Sequence, residues 1–474
     1  MRYYLIAGEA SGDLHGSNLI RGLKAEDAEA EFRFWGGEMM CEAALQQDVC
    51  LPQDDCTQQK VCTSGGIDPG LSPLGCIPSA AAGIDPGLSP LEGTHPAADG
   101  KDTAAGSKDS AESILEGKNP AADGQYSVAE IQPQGFRKQN SGRKDSPLVR
   151  HYKEGAVMGL TDVFAKAGKL IANIKYCEED ILAWKPDVVI LIDYPGFNMR
   201  IAEFCHRRGI KVFYYIAPKT WASRESRNRK LKAYVDKLFI VFPFEIPYFT
   251  EKGIPFEYRG NPLVDAVDNH RYTRPVDGKY IAVLAGSRKG EISRMMPVCV
   301  EIMERLHSDP DFRDYRFVIA GAPARSAADY EPYLKPGQEE YVSIVFGRTY
   351  DVLKFADAAV INSGTASLEA VLTGTPQVVC WSTSPLTAVV ARYLFRIEER
   401  IKYISLGNLC IDRLAFKELV QEKFTVDNVC EELHRLILDP GYRAGMLSDY
   451  AEIRGSLGGT GASRAVARAM INSL

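Results

Sequence analysis

The chain of 474 residues is 45% apolar and 25% charged, and its formal net charge at pH 7 is -6. At about 100–200 residues per domain, this length predicts two or three domains with sizeable cores. The near balance of charge gives no reason to expect a nucleic-acid partner, and no stretch approaches the ~20 apolar residues needed to span a bilayer.

The amino-terminal sequence predicts a strand at 3–7, a turn and a helix near 16–25. Its apolar run is too short for a signal peptide and ends in an acidic, Gly-rich turn, so we expect a cytoplasmic chain. The glycines of that turn, GEASGDLHG (8–16), let the main chain approach a ligand, and free N–H groups at the helix start favour an anion. A tight turn capped by Ser11 or Asp13 is the alternative.

A second strand, predicted at 32–35, precedes an unusual segment at 50–147. GIDPGLSPL occurs at 66–74 and again at 83–91, and LEG-x-x-PAADG also occurs twice. Tandem repeats that are rich in Gly, Pro, Ala, Ser and Asp offer little to bury. They predict a low-complexity, disordered insertion, which we expect to be dispensable for activity.

The eleven cysteines show no CxxC spacing, so reduced thiols are the expected state. Five of them crowd the front of the insertion: Cys41, Cys50, Cys56, Cys62 and Cys76. A zinc site there is an alternative, but the spacing matches no zinc motif, and we predict no metal.

The helical, apolar run AVMGLTDVFAKAGKLIANI (156–174) permits two interpretations, core packing or a lipid-contacting surface. The next predicted strand, at 187–192, ends on Asp193 in the sequence VVILIDYPGFN. A carboxylate at the end of a buried strand is costly to desolvate unless something pairs with it or uses it. Asp193 is therefore the carboxylate of interest in the first half.

The segment FYYIAPKTWASRESRNRKLK (213–232) continues from a predicted strand into a basic stretch. Residues 200–237 hold eleven Lys and Arg against three acids, an excess of eight positive charges. That excess is enough to attract an anionic ligand or surface. A solvated basic helix is one interpretation, and phosphate binding at the mouth of the first sheet is the other.

A Pro- and charge-rich connector at 261–278 precedes a second series of strands and helices. The predicted strands lie at 3–7, 32–35, 187–192, 211–216, 238–241, 280–286, 315–321, 342–347, 358–362 and 377–381, and the predicted helices near 16–25, 161–183, 199–207, 224–234, 291–306, 350–355, 365–373 and 387–395. Continuous apolar strands that alternate with helices predict two doubly wound, Rossmann-like α/β domains, with ligands at the carboxyl ends of the strands in the cleft between them. We place these domains at 1–265 and 266–455, with a C-terminal tail at 456–474.

Two motifs follow strands of the second half. GSRKGEI (286–292) offers Arg288, whose guanidinium can hold a diphosphate through two donors. INSGTASLEA (361–370) places small polar residues and main-chain amides at a helix start, and Glu369 one turn further can accept hydrogen bonds from a ribose diol. An exposed arginine and an ordinary capped helix are the alternatives.

The chain resembles the lipid-A-disaccharide synthases, glycosyltransferases of the two-Rossmann GT-B type. The resemblance rests on AGEASGD (7–13), AVMGLTDV (156–163), IDYPGFN (192–198), YIAPKTWA (215–222), GSRKGEI (286–292), SGTASLE (363–369) and YISLGNL (403–409). It extends over almost the whole chain except 50–147.

This resemblance implies an inverting transfer without a cofactor. The donor would be UDP-2,3-diacylglucosamine, the acceptor 2,3-diacylglucosamine 1-phosphate, and the products a β-1,6-linked disaccharide 1-phosphate and UDP. It also implies a peripheral enzyme at the cytoplasmic face of the inner membrane, and it leaves open a homodimer and a C-terminal tail that packs back on the first domain.

The resemblance also suggests roles for single residues. Asp193 would be the catalytic base. The acceptor side would hold Glu9, Ser11, Gly12, Asp13, Asn198, Met158 and Trp221, and the UDP side Gly286, Ser287, Arg288, Ser363, Gly364, Thr365, Ser367, Glu369 and Asn408. Another enzyme of the same fold, such as a UDP-sugar epimerase or a transferase for peptidoglycan precursors, is an alternative, as is a two-domain binding protein.

Overall fold

The computed structural model describes residues 1–46, 146–155, 163–222, 224–383 and 402–474, together with the main chain of 128–129. Most of the predicted insertion, Met158 and the helix predicted near 387–395 lie outside these ranges. Within them, none of the helices is long and apolar enough to cross a membrane.

The described strands and helices alternate along most of the chain. The strands are β1 (Arg2–Ala7), β2 (Glu31–Gly36), β3 (Val128–Ala129), β4 (Leu148–His151), β5 (Val188–Ile192), β6 (Lys211–Tyr215), β7 (Lys237–Ile240), β8 (Glu257–Tyr258), β9 (Lys279–Leu284), β10 (Tyr315–Gly321), β11 (Val342–Phe346), β12 (Ala358–Asn362), β13 (Gln377–Trp381) and β14 (Glu418–Val420). The helices are α1 (Ala10–Glu26), α2 (Glu38–Leu45), α3 (Tyr152–Gly155), α4 (Val163–Trp184), α5 (Pro195–Arg207), α6 (Arg227–Tyr234), α7 (Glu245–Glu251), α8 (Pro262–Asp268), α9 (Lys289–His307), α10 (Thr349–Lys354), α11 (Thr365–Thr373), α12 (Leu406–Ile411), α13 (Val426–Leu438), α14 (Pro440–Leu457) and α15 (Ala462–Ile471).

The strands form two parallel sheets, which confirms the prediction of two Rossmann-like domains. The first sheet has the order β4-β2-β1-β5-β6-β7-β8, and the second has the order β14-β13-β12-β9-β10-β11-β3. The central strands are continuous apolar runs because helices cover both faces of a parallel sheet. In β5, for example, all five residues are buried.

The strand register brings the loops of interest together at one edge of each sheet. Ala7 of β1 is level with Ile192 of β5, and Ile192 is level with Tyr215 of β6. In the second sheet, Leu284 of β9 is level with Ile361 of β12. The loop after β1 therefore lies beside the loops after β5 and β6, and the loop after β9 lies beside the loop after β12.

Two predictions differ from the structure. The connector at 261–278 is not a linker at its start, because Asn261 accepts a hydrogen bond from the Leu263 N–H and caps α8, whose apolar side chains are buried. Two residues of the predicted insertion form β3, which pairs with β11 at the edge of the second sheet. A two-residue strand carries no apolar pattern that a sequence could reveal.

The C-terminal helix α15 packs against α1 of the first domain. Val466, Ala467 and Met470 are buried there. Glu26 at the end of α1 pairs with Arg464 and Arg468, which lower the pKa of Glu26 to about 2. The last turn of the chain is thus held on the domain that contains β1.

Candidate active site

Asp193 lies at the carboxyl end of β5 in a strained turn. Asp193 and Tyr194 have φ angles of 44° and 46°, in the left-handed region that non-glycine residues rarely adopt. At the end of the neighbouring strand β6, the β-branched Ile216 has a φ of 64°. Such strain clusters at functional sites, so this edge of the sheet is a candidate site.

The main chain of Asp193 is held by three hydrogen bonds. Its carbonyl accepts from the Tyr214 hydroxyl and from Asn198 Nδ2, each at 2.7 Å, and its N–H donates to the Tyr215 carbonyl at 3.2 Å. These three contacts use main-chain atoms of Asp193, and its carboxylate accepts one further hydrogen bond, from the main chain of Tyr194.

The charge environment of Asp193 is mixed. Burial raises the pKa of its carboxyl group, and the positive charges of Lys219 and Arg288 oppose that rise. The negative charge of Glu9 adds to it. A carboxylate whose pKa lies above its ordinary value is a stronger base, which suits proton abstraction.

Asn198 is fully buried below this turn. Its Nδ2 donates to the carbonyls of Ile6 and Ile192 as well as to that of Asp193. Asn198 therefore joins the ends of β1 and β5 and positions Asp193, whereas the sequence had suggested a place on the acceptor side.

The loop after β1 packs directly on the Asp193 turn. A Cβ atom on Gly8 would lie 2.3 Å from Cγ of Tyr194, so only glycine fits below that ring. Gly12 lies close to Ala7, where an added Cβ would be 3.1 Å from the alanine Cβ. Ser11, between them, is half-buried.

Asp13 stabilises the start of α2, and its predicted place on the acceptor side stays a prediction. Its side chain is 2% exposed. Its two carboxylate oxygens accept hydrogen bonds from the main-chain N–H groups of Gly37, Met39 and Met40, at 2.7–3.2 Å. Asp13 thereby satisfies free amides at the start of α2.

Arg288 reaches from the second domain to the first. Its Nη2 lies 3.1 Å from Glu9 Oε1, and its Nη1 lies 3.1 Å from Glu291 Oε1. Gly286 starts this loop with a φ of 108°, and an added Cβ would lie 2.7 Å from Cβ of Glu291. The GSR motif therefore needs its glycine and presents its guanidinium to the loop after β1.

Glu291 was missed by the sequence reasoning. Its Oε2 accepts hydrogen bonds from the main-chain N–H groups of Ser287 and Arg288, at 3.0 and 3.2 Å. These two amides are thus already satisfied at the start of α9. The exposed Ser287 hydroxyl and the Arg288 guanidinium remain to meet an anion.

The loop after β12 leads into α11 with an open N-terminus. Gly364 is the N-cap residue, and no side chain caps it among the described residues. The first-turn N–H groups and the half-buried Thr365 can therefore face an anion. Ser363 Oγ donates to the Ile404 carbonyl at 3.2 Å, and the fully buried Ser367 donates to the Gly364 carbonyl at 2.8 Å. Ser367 accordingly supports the turn from within.

Glu369 follows one turn along α11. Burial raises the pKa of its carboxyl group to about 7. Its neighbour Tyr350 has a buried hydroxyl without a hydrogen-bond partner among the described residues. A carboxylate and a hydroxyl in these positions are able to accept and donate hydrogen bonds to a polar ligand.

Asn408, which is predicted on the UDP side, forms its hydrogen bonds within the protein. The residue is fully buried. Its Nδ2 donates to the Phe416 carbonyl and to Glu418 Oε1, and its Oδ1 accepts from the Ala415 N–H at 2.8 Å. Asn408 fixes the segment between α12 and β14.

Trp221 lies in the loop after β6, with its ring edge-on to Phe244 at a centroid distance of 5.0 Å. Its indole N–H donates to Glu245 at 3.3 Å. Burial raises the pKa of Glu245 to about 7. This pair fixes the loop that also contains Lys219. Like Glu291, Lys219 was not singled out from the sequence.

The site thus combines a half-buried carboxylate, a guanidinium from the opposite domain and an open helix N-terminus. This set can remove a proton from one substrate and stabilise negative charge on a leaving group of another. Among the described residues, no group of three His, Cys, Asp or Glu side chains could hold a metal ion. Met158 lies outside these residues.

The comparisons with known proteins agree on one family. The family model described as Lipid-A-disaccharide synthetase matches residues 130–453, starting within the predicted insertion. The chain is 32% identical to the lipid-A-disaccharide synthase of Geobacter sulfurreducens in an alignment over 335 residues, which covers 68% of this chain and 84% of that protein. It is 34% identical to the synthase of Myxococcus xanthus, over 69% of this chain and 86% of that protein.

The fold is also shared with a solved structure. The UDP-GlcNAc 2-epimerase of Neisseria meningitidis, bound to UDP-GlcNAc, superposes with a TM-score of 0.54 at 11% sequence identity, over 100% of both chains. At that identity the likeness concerns the two-domain architecture alone.

Proposed function

Because the chain belongs to the lipid-A-disaccharide synthase family, we propose that it transfers 2,3-diacylglucosamine from UDP to the 6-hydroxyl of 2,3-diacylglucosamine 1-phosphate. The products are UDP and the β-1,6-linked disaccharide 1-phosphate. The resemblance that the sequence motifs suggested is confirmed by the family match and by relatives at 32–34% identity.

The observation that carries the site assignment is the ion pair between Glu9 and Arg288 beside Asp193. It joins the loop after β1 to the loop after β9, so a group from each domain meets the candidate base. A reaction between two substrates, one held by each domain, needs such a meeting point.

In the proposed reaction, the 6-hydroxyl oxygen of the acceptor attacks the anomeric carbon of the donor. Asp193 takes the hydroxyl proton as the new C–O bond forms, and the bond between the anomeric carbon and the UDP phosphate oxygen breaks. The electron pair of that bond leaves with UDP. One displacement inverts the anomeric centre and accounts for a β-linked product.

The leaving diphosphate would be stabilised by the second domain. The Arg288 guanidinium and the open first turn of α11 offer donors to the developing negative charge. Glu369 would accept hydrogen bonds from the ribose hydroxyls of UDP. The half-buried Thr365 and the exposed Gly364 and Ser287 lie at the same edge of the sheet.

Membrane contact follows from the proposed substrates, since both carry acyl chains that remain in a bilayer. Peripheral binding at the cytoplasmic face of the inner membrane is therefore part of the proposal. A homodimer stays a prediction for hydrodynamic measurement.

The test incubates the purified protein with the diacylated UDP-sugar and the diacylated sugar 1-phosphate in mixed micelles. We expect equal amounts of UDP and a new disaccharide lipid, and neither product when one substrate is omitted. Release of UDP without acceptor, or a UDP-sugar epimer, would instead indicate a hydrolase or an epimerase.

A further inference from the structure

Three cations lie between the end of β6 and the first turn of α6, and apart from the effect of Lys219 on the pKa of Asp193 they have no role in the site described so far. Lys219, Arg224 and Arg227 follow the end of β6, the strand next to the one that ends on Asp193. We call these three residues the cationic loop. Lys219 and Arg227 are both close enough to Asp193 for their charges and its carboxylate to influence one another.

The acids of this region do not neutralise the cationic loop. Glu203 pairs with Arg207 and Lys230, and Glu225 pairs with Lys252 at 2.9 Å. Asp236, the remaining acid of the basic stretch, accepts a hydrogen bond from the Val212 main chain.

Within the described ranges, the cationic loop has no ion pair of its own. Its excess charge is therefore not compensated within these ranges, and Lys219 and Arg224 are exposed.

The main chain brings two of these cations together. The Arg227 N–H donates to the Arg224 carbonyl at 3.0 Å, so the two residues close a single turn. Burial lowers the pKa of the Arg227 guanidinium, and the charge of Arg224 lowers it further. The first turn of α6 contains Arg227 and no acid, although a helix N-terminus favours negative charge.

A like-charged turn beside a helix N-terminus is unfavourable until an anion occupies it. The same loop contains a buried hydroxyl, Thr220 Oγ1, which has no hydrogen-bond partner in the described part of the chain. In the proposed site the donor diphosphate is met by Arg288 and the first turn of α11 in the second domain, so an anion at this loop belongs to the other substrate.

We propose that the cationic loop binds the phosphate monoester of the acceptor sugar. This inference rests on the proposed function and extends it. It assigns a binding site to the 1-phosphate, the group that distinguishes the acceptor from the dephosphorylated lipid. The 1-phosphate and the 6-hydroxymethyl group are attached to the two carbons that flank the ring oxygen of one hexose, and Asp193 and the cationic loop follow two neighbouring strands at one sheet edge. The phosphate contact would thus direct the 6-hydroxyl towards the base.

The experiment compares Arg224→Gln/Arg227→Gln with Lys230→Gln/Lys232→Gln, which removes two positive charges further along the same basic segment. Binding is measured with mixed micelles that contain diacylglucosamine 1-phosphate, the dephosphorylated lipid or phosphatidylglycerol. Turnover is measured with both acceptor lipids, and thermal unfolding reports folding.

For the cationic-loop variant, we expect the Kd and the KM for the sugar 1-phosphate to rise about tenfold to a hundredfold, at an unchanged KM for the donor. The dephosphorylated lipid should bind all proteins alike, so the preference for the phosphate should disappear in this variant alone. Lys219→Gln should show the same selective loss to a smaller extent.

Three results would overturn the inference: an unchanged preference for the phosphate, a raised KM for the donor instead, or an equal loss of binding to phosphatidylglycerol. The binding measurement requires no turnover, so it tests this inference independently of the proposed function. Absence of disaccharide with the unmodified protein would count only against the proposed function.

Discussion

Arg288 Nη2 and Glu9 Oε1 lie 3.1 Å apart and join the first loops of the two domains. Their side chains are 47% and 45% exposed, so the pair contributes little to stability. Its consequence is electrostatic, because both charges act on the carboxyl group of Asp193. Glu9 raises the pKa of Asp193 and Arg288 lowers it.

Replacement of Glu9 by Gln should therefore move the acidic limb of kcat/KM to lower pH. The variant loses the negative charge that raises the pKa of Asp193, and it frees the cation that lowers it, so both changes have the same sign. A base with a lower pKa stays deprotonated to lower pH. The pH profile of kcat/KM measures this shift, and the variant Glu31→Gln, at an exposed site, is the control. A shift of the acidic limb to higher pH would contradict the prediction.

Asp193→Asn should fold but lose about 10²–10⁴-fold in kcat, the usual contribution of a general base. The main-chain contacts of Asp193 with Asn198 and Tyr214 do not involve the carboxylate, so the turn should persist. Steady-state kinetics and thermal unfolding measure the two effects. Near-normal turnover of the folded variant would remove Asp193 from the role of base.

Glu369 should make donor binding depend on pH. Burial raises the pKa of its carboxyl group to about 7, so protonation below that pH removes an acceptor for the ribose hydroxyls. The KM for the donor should rise as pH falls through 7. In Glu369→Gln it should be about tenfold higher and nearly flat with pH. A pH dependence that persists in this variant would mean that another group is responsible.

The central strands of both sheets could be predicted because each is an apolar run between turn residues. The strands that sequence reasoning missed, β3, β4, β8 and β14, lie at or near sheet edges and have two to four residues. So short a segment has no periodicity, and its pairing depends on neighbours far along the chain.

The sequence predicted which loops form the candidate site, but it did not always predict the contacts of their side chains. Asp193 was singled out because a buried strand ends on it, Arg288 because a guanidinium suits a diphosphate, and Glu9 through the family resemblance; their roles stay predictions. Asp13 and Asn408 were also predicted to contact ligands, and their side chains form hydrogen bonds with distant segments of the chain, which the sequence did not reveal. A sequence shows that a polar residue is present, whereas the structure shows whether its hydrogen bonds are already made.

Met470→Ala should destabilise the protein by about 2–5 kcal/mol, the usual cost of truncating a buried methionine. The side chain is fully buried in α15, which packs on α1, so the first domain should lose its support from the C-terminus. Denaturant unfolding measures the change. Leu438→Ala, at a side chain that is 49% exposed, is the control and should stay within about 0.5 kcal/mol. Equal losses in both variants would show that α15 adds no stability of its own.

Removal of residues 50–127 should leave activity and stability intact. The alignments with the relatives in Geobacter sulfurreducens and Myxococcus xanthus cover 84% and 86% of those proteins but only 68% and 69% of this chain. A part of this chain therefore has no counterpart in these relatives. A longer deletion, 50–147, also removes β3 and the Pro147 carbonyl, which accepts the Phe34 N–H at 2.8 Å.

We expect the longer deletion to keep its activity and to lose about 1 kcal/mol of unfolding free energy for that hydrogen bond. Disaccharide formation and denaturant unfolding compare the two variants. If the shorter variant is folded and soluble but inactive, the segment takes part in the reaction and the prediction is wrong.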